Sequence, residues 1–293
     1  MATTLTNVGL AIMANRVIDA LHNLLAPIYS FSLDLSEEAA KLGATIRVPL
    51  ISADAADDWN VTTHNYKAGK ATLKDREVKI DKRKLARFGI DDEQAASFAP
   101  QWWERKGDAN ANAVATAMLN DLYALITGAH YGDTETDKIQ VTLAGFNTKI
   151  AAKIRAAAIK KNLNPRLSAL CLGSDYFSAL LGNLDANLYG GAEAIRTGTI
   201  PGLLGFKAVV EVPGYNGPGF VCQPDAIAVA NRWLKPVAPD SYQDSGSATD
   251  DQTGLTIGIR LYGDPDTGVL STSCECVYGV EVGNPDALLR IVE

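Results

Sequence analysis

Between residues 67 and 87 the chain carries nine basic side chains: Lys67, Lys70, Lys74, Arg76, Lys79, Lys82, Arg83, Lys84 and Arg87. Three acids, Asp75, Glu77 and Asp81, stand against them. Over 71–82 the pattern is extended, with Val78 and Ile80 among many charges, so both faces of the strand are largely polar. A strand of that kind has no apolar face to lay on its own core. It is expected to project as a long hairpin and to need a partner surface. The segment has a net charge of +6, which leaves −13 on the remainder of a chain whose total is −7. A basic stretch on an acidic chain calls for an acidic partner, either nucleic acid or another copy of the chain. No aromatic lies within 67–87, with Tyr66 just outside, so the stacking element of a single-strand reader is missing. Attraction to phosphates alone stays open. Contact with a neighbouring subunit is the stronger reading, because the acidic remainder sits in the same assembly. The nine cations are therefore candidate inter-subunit contacts.

The rest of the chain can bury a core. It has 293 residues, 47% of them hydrophobic, and ordinary charge content. No apolar run approaches a bilayer span, and the N-terminus lacks the pattern of a secretory leader. A protein made and kept in a cytoplasm, with no membrane partner, is expected.

Hydrophobic spacing places the elements. Val8, Ile12, Val17, Leu21 and Leu25 predict an amphipathic helix over 7–25, broken by Pro27. Residues 28–42 have no period and read as an extended arm. Ile46, Val48 and Leu50 alternate with Thr45, Arg47 and Pro49 in a strand over 44–51, followed by an acidic stretch with Asp54, Asp57, Asp58 and Trp59. Val114, Met118, Leu122 and Leu125 form the core stripe of a helix over 101–128, stopped by Gly128 and about 40 Å long. An Ala-rich helix over 145–161, a strand over 167–172 and a short helix capped by Ser174 or Asp175 come next. A glycine-rich loop over 187–205 leads into a strand over 206–212. Residues 237–253 read as a polar loop. Two strands, around Leu255–Leu261 and Thr272–Val282, close the chain about a turn at 263–268.

Chemistry-bearing patterns are sparse. His22, His64 and His130 lie in three unrelated segments, and no serine sits in a nucleophile elbow. Gly198, Gly202 and Gly205 match neither phosphate-binding fingerprint and read as turn formers. Asp133, Glu135 and Asp137, or Asp264 and Asp266, could be calcium ligands, but neither group completes the loop pattern; solvated turns are the stronger reading. None of the four cysteines, Cys171, Cys222, Cys274 and Cys276, forms a CxxC; Cys274 and Cys276 share a strand face, as a metal or redox pair or, more simply, as small packed residues. Trp102 and Trp103 can stack a ligand but serve better as packing anchors. No enzyme, no cofactor and no metal is expected.

The order of elements resembles the major capsid proteins of tailed bacteriophages, with the Hong Kong ninety-seven-like fold that encapsulins share. GATIRVPL at 43–50 resembles the strand entering that family's extended loop. The helix at 101–128 resembles its spine helix. GTIPGLLGFKAVVEVPG at 198–214 resembles a stretch of the axial domain, and GLTIGIRLYGDPDTG at 254–268 with CECVYGVEV at 274–282 resembles the strands that return to the peripheral domain. Ala26-Pro27-Ile28 and Asp58-Trp59-Asn60 look most like the coat proteins of short-tailed enteric phages, although the chain is too short for the inserted domain of that group's type member.

The resemblance implies an α+β chain with an N-terminal helix and arm at 1–43 and an extended β-hairpin loop at 44–92. A peripheral domain would comprise 93–144 and 231–293, and an axial domain 145–230. It also implies a homo-oligomer of hexamers and pentamers in an icosahedral shell around double-stranded DNA. Scaffolding, portal or decoration proteins would be partners, the virion the location and the host cytoplasm the place of assembly. An encapsulin-like cellular compartment is the alternative within the fold, a head-completion or tail protein forming rings or tubes another, and a soluble α/β enzyme the alternative outside it.

Overall fold

The structure is a computed structural model, and it describes residues 2–3, 8–39, 43–50, 74–91, 93, 101–184, 200, 203–236, 242–250, 254–264 and 268–293. Its backbone of interactions is one long strand, β13 (Val269–Val282). Fourteen residues at about 3.3 Å each make it about 46 Å long, too long for one neighbour. On one edge it pairs first with β12 (Thr256–Asp264), from Asp264 opposite Val269 to Gly258 opposite Glu275. Farther along, β10 (Ile227–Trp233) takes over, from Arg232 opposite Val277 to Ile227 opposite Val282. β5 (Lys82–Ile90) pairs with residues 270–278, so it must occupy the opposite edge from β12. β11 (Asp244–Thr249) and β1 (Ala2–Thr3) extend the sheet beyond β12, and β2 (Ser32–Ala39) lies parallel to β10, making seven strands.

Asn231 solves the problem of the changeover. Where β12 ends and β10 begins, its fully buried amide accepts from the Thr256 backbone N–H at 2.8 Å and donates to the carbonyls of Thr256 and Val277 at 3.2 and 3.1 Å. A side-chain amide thereby stands in for a peptide group that neither strand supplies.

Two helices cover one face of this sheet. α1 (Val8–Leu24) places Ala14, Val17, Ile18 and Leu21 against α2 (Gln101–Tyr123), whose Val114, Met118 and Leu122 are fully or almost fully buried. Both meet Ile257, Ile259, Cys274, Cys276 and Tyr278 of the sheet. The four-residue recurrence of the α2 stripe follows from helical geometry.

A second sheet runs in the order β6 (Lys138–Gln140), β14 (Leu288–Val292), β9 (Gly219–Cys222), β7 (Ala169–Leu172) and β8 (Ala208–Glu211). Alternation along β7 divides its side chains: Leu170 and Leu172 enter a core with α4 (Thr148–Lys160) and α5 (Ser174–Gly182), while Ala169 and Cys171 join the first core. This sheet draws β6 and β14 from 93–144 and 231–293, and β7, β8 and β9 from 145–230. Asn147 caps α4, its Oδ1 accepting from the backbone N–H groups of Lys149 and Ile150.

Several expectations need correction. In the arm expected at 28–42, Ser32–Ala39 is extended, as β2 beside β10, but Ala26–Ser30 forms a 3₁₀ turn. α2 ends at Tyr123 rather than at 128, giving about 34 Å. Leu125 lies in the following turn, its N–H donating to Leu122, and packs partly buried against the core. Gly128 does not stop α2 but opens a short helix, α3 (Gly128–Tyr131); a Cβ there would stand 2.8 Å from the Arg290 guanidinium. Gly173, not Ser174 or Asp175, is the cap position of α5, where a Cβ would meet the Gly217 carbonyl at 2.5 Å. The polar stretch 237–253 contains β11, and a third strand, β14, follows the two expected last. Most of the glycine-rich loop at 187–205 lies outside the described residues.

The largest correction concerns the charged run. β3 (Thr45–Leu50) and β4 (Lys74–Lys79) form an antiparallel pair, but its base does not project. Val48, Val78 and Ile80 are fully buried and Leu50 nearly so, packed with Ala228, Ala230 and Val277 on the second face of the main sheet. Ile46 and Leu234 pack partly buried at the margin of this cluster. At Gly279 a Cβ would collide with the Lys79 carbonyl, so the backbones approach closely there. The segment is also two strands on two platforms: β4 pairs with β3, and β5 pairs with β13.

Candidate functional site

β5 carries four of the nine candidate cations, and its period of two sorts them. Lys82 and Lys84 point towards α2. There their ammonium groups meet the same Asp121 Oδ2 at 3.6 and 2.9 Å, and the Tyr278 hydroxyl donates to that oxygen at 2.8 Å. Burial pushes the Asp121 carboxyl up, but hydrogen bonds from Lys84 and Tyr278 and the charges of Lys82 and Lys84 outweigh it, leaving the group below the ordinary carboxylate value. Burial and the Asp121 bond push the Tyr278 phenol up.

Arg83 points to the other face. Its guanidinium forks onto Glu275 Oε2, with Nε at 2.8 Å and Nη2 closer still. Glu275 is 1% exposed. Its other oxygen faces Arg260 Nη2 at 2.7 Å, an ion pair rather than an aligned hydrogen bond. Arg260 in turn donates to the Leu234 carbonyl at 3.1 Å and lies over the Tyr242 ring. An Arg–Glu–Arg triad thus crosses β5, β13 and β12. Breaking one member of such a triad leaves a buried charge unpaired, at a cost of about 3–5 kcal/mol.

The remaining candidates divide as follows. Arg76 donates to the Val282 carbonyl at 2.6 Å and so ties β4 to the end of β13. Lys79 and Arg87 are exposed and form no ion pair among the described residues. Lys74 begins β4. Lys67 and Lys70 lie outside the described residues.

Several of the other chemistry-bearing side chains among the described residues are engaged within the chain. Asp133 accepts from Lys138 and Arg290 at 3.0 and 3.1 Å, bonds that hold its carboxyl below the ordinary value. Asp137 accepts from the Thr134 hydroxyl at 2.6 Å and pairs with the buried Lys161 at 2.9 Å. Asp264 ends β12, and Asp266 lies outside the described residues. All four cysteines are free and buried; burial pushes the Cys276 thiol up to about 12. The thiolate needed for metal or redox chemistry is thereby disfavoured. Among the described residues no cluster of three His, Cys, Asp or Glu side chains has metal-binding geometry. His130 is exposed beside the Leu125 carbonyl, Trp102 and Trp103 lie in the first turn of α2, His22 lies on α1, and His64 is outside the described residues. An open cleft of about 590 Å³ lies between the start of α5, residues 214–218 and the end of β14, but its Arg290 is already engaged by Asp133 and the Gly132 carbonyl.

Sequence reasoning missed Asp121, Glu275, Arg260 and Asn231. Each finds its partner in an element remote in sequence. Glu275, flanked by Cys274 and Cys276 in an apolar strand, is the one whose position could have signalled a buried charge.

No family model matches the chain, and no curated protein matches it either. Solved structures do. A chain from Mycobacterium phage Che8 has 17% identity and a TM-score of 0.51, with 84% of each chain covered. The capsid structure of cyanophage P-SCSP1u gives 14% and 0.50, covering 90% of this chain and 87% of that one. A virus-like particle from Pyrococcus furiosus gives 10% and 0.51, covering 94% and 96%. These likenesses show the fold: an α+β chain with the Hong Kong ninety-seven-like architecture of phage capsid proteins.

Proposed function

We propose that the chain is the major capsid protein of a tailed phage, a non-enzymatic subunit that self-assembles into a closed shell. The observation that carries this reading is fold likeness along nearly the whole chain to subunits of a capsid and a virus-like particle. A fold shared over that length, rather than over one binding module, is the unit that shells repeat. On this reading hexamers and pentamers close an icosahedral head around double-stranded DNA, in a virion assembled in the host cytoplasm, with scaffolding, portal or decoration proteins as partners. The coat proteins of short-tailed enteric phages are the subgroup that Ala26-Pro27-Ile28 and Asp58-Trp59-Asn60 favour. Residues 93–144 and 231–293 form the peripheral part and 145–230 the axial part. The basic residues from Lys67 to Arg87 that remain free of partners within the chain contact a neighbouring subunit.

Electron microscopy of particles from an expressing cell tests this reading. Closed shells holding DNA, or empty shells that fill when a packaging machine is present, are expected. Shells holding enzyme cargo would instead mark a cellular compartment, and rings or open tubes would mark a head-completion or tail protein.

A further inference from the structure

We infer that the outward face of α4, with Lys149, Lys153, Arg155 and Lys160, holds the phosphate backbone of double-stranded DNA without reading its sequence, and that Arg166 and Lys207 extend this face. The inference rests on the shell reading above, in which that DNA is the packaged genome, and it assigns the surface that meets it.

Between Asp137 and Asp175 the chain carries seven cations and no acid. Two of them are neutralised within the chain, Lys138 by Asp133 and Lys161 by Asp137. The other five, Lys149, Lys153, Arg155, Lys160 and Arg166, are exposed and form no ion pair among the described residues. Helical geometry gathers them. Lys149, Lys153 and Lys160 fall within about 40° of one another around the axis and span about 16 Å along it. Ala151, Ile154 and Ala158 are buried on the opposite side. The exposed Ala152 and Ala156 form a low floor between the lysine stripe and Arg155. A Cβ on Gly205 would stand 3.9 Å from the Arg155 Nε, so the loop before β8 runs along that flank. In that loop the exposed Lys207 donates from its backbone N–H to the carbonyls of Pro165 and Ser168 at 3.2 and 2.9 Å, next to Arg166.

Folding gains little from this arrangement. Lys149 and Lys153 repel each other at i, i+4. Lys149 is also the second residue of α4, at the positive end of the helix dipole, and no acid stands in the first turn to offset it. Lys160 alone, in the last turn, is favoured by the dipole. Glu293 shares a depression with Lys153, but the two form no ion pair among the described residues. A polyanion outside the chain would relieve the repulsion that the chain leaves uncompensated. The make-up of the face favours phosphate over protein, because lysine is depleted at protein interfaces and a basic stripe along a helix is the footprint of a nucleic acid. Duplex DNA presents one charge per about 1.7 Å of its axis, so about ten lie along the stripe in any register. Contact that ignores sequence needs no more than that. Ile159, 45% exposed, lies on the Arg155 side of the helix, outside the stripe.

Fluorescence anisotropy of a labelled mixed-sequence DNA duplex, titrated with unassembled subunits across a salt series, tests the face. Each phosphate neutralised contributes about −0.9 to the slope of log affinity against log salt. Lys149→Gln, Lys153→Gln and Lys160→Gln should each make the slope shallower by about 0.9, and the three together should weaken binding at low salt at least about tenfold. Circular dichroism and melting should match the wild type, and Lys→Arg at the same positions should keep the slope. Cations elsewhere on the chain cannot mimic a slope change tied to the substituted residue. If the triple variant does not fold, the single variants decide by the same slope. Slopes unmoved by the Gln variants, or a wild-type chain that does not bind the duplex, overturn the DNA face and leave the shell reading standing. Variants that bind the duplex normally but no longer assemble overturn it in favour of an acidic protein partner. The expected slopes in a chain that never assembles would support the face and remove the shell reading.

Discussion

At Asp121 two lysines and a tyrosine hydroxyl converge on one carboxylate oxygen. Because its carboxyl is held below the ordinary value in the folded chain, the stability it contributes is present above about pH 4, the unfolded carboxylate range, and is lost as pH falls through the lower folded value. Asp121→Asn should therefore lower the melting temperature at neutral pH and flatten the acid limb of melting temperature against pH. An unchanged acid limb would mean that other carboxylates govern it. Gly279 is the steric counterpart. Gly279→Ala drives a methyl group into the Lys79 carbonyl and should cost about 1–3 kcal/mol in denaturant unfolding, with the β3–β4 pair displaced. Leu122, fully buried in the α2 stripe, should cost about 2–5 kcal/mol as Leu122→Ala. These three positions were unequally legible. Leu122 follows from spacing alone. Asp121 and Gly279 do not, because their importance lies in partners more than 30 residues away.

Among the elements, the helices and the alternating strands could be read because each signals itself through a local period. α1, α2, β3 and β12 follow from apolar spacing and α4 from its alanine content, with ends shifted by a few residues. β11, with the sequence DSGSAT, carries no such period and becomes a strand only because β12 supplies a ladder for it. β5 misled in the opposite way. Its charges look like those of a free strand, yet Lys82, Lys84 and Arg83 are neutralised by Asp121 and Glu275, which only the fold brings near. Reversing Lys79, Lys82 and Lys84 to Glu together should therefore destabilise the subunit itself, because two of the three new carboxylates would face Asp121. Loss of native circular dichroism at lower denaturant concentration is the expected result; a reversal that leaves the subunit as stable as wild type would show that the β5–α2 clamp contributes little. Lys79→Glu alone, at an exposed position without a partner, should leave folding unchanged.

At the scale of the whole molecule, stability is shared among two main cores and the base of the hairpin. The first core holds the main sheet to α1 and α2, and the second holds α4 and α5 to the smaller sheet, with β7 contributing a side-chain row to each. The hairpin base closes the back of the main sheet through Val48, Val78 and Ile80. Outward on β5, Leu85 is 46% exposed and Arg87 is exposed, whereas Arg83 is held by Glu275. The order of elements made this architecture readable in advance, because it is fixed by chain sequence; which cations the folded chain neutralises was not, because their acidic partners, Asp121 and Glu275, are remote in sequence. Electron microscopy of the purified protein, imaged across a range of salt and protein concentrations, bears most directly on the claim that this chain builds shells. Closed particles with capsomers of five-fold and six-fold symmetry are the predicted result, and a chain that stays monomeric at high concentration under every condition would contradict it.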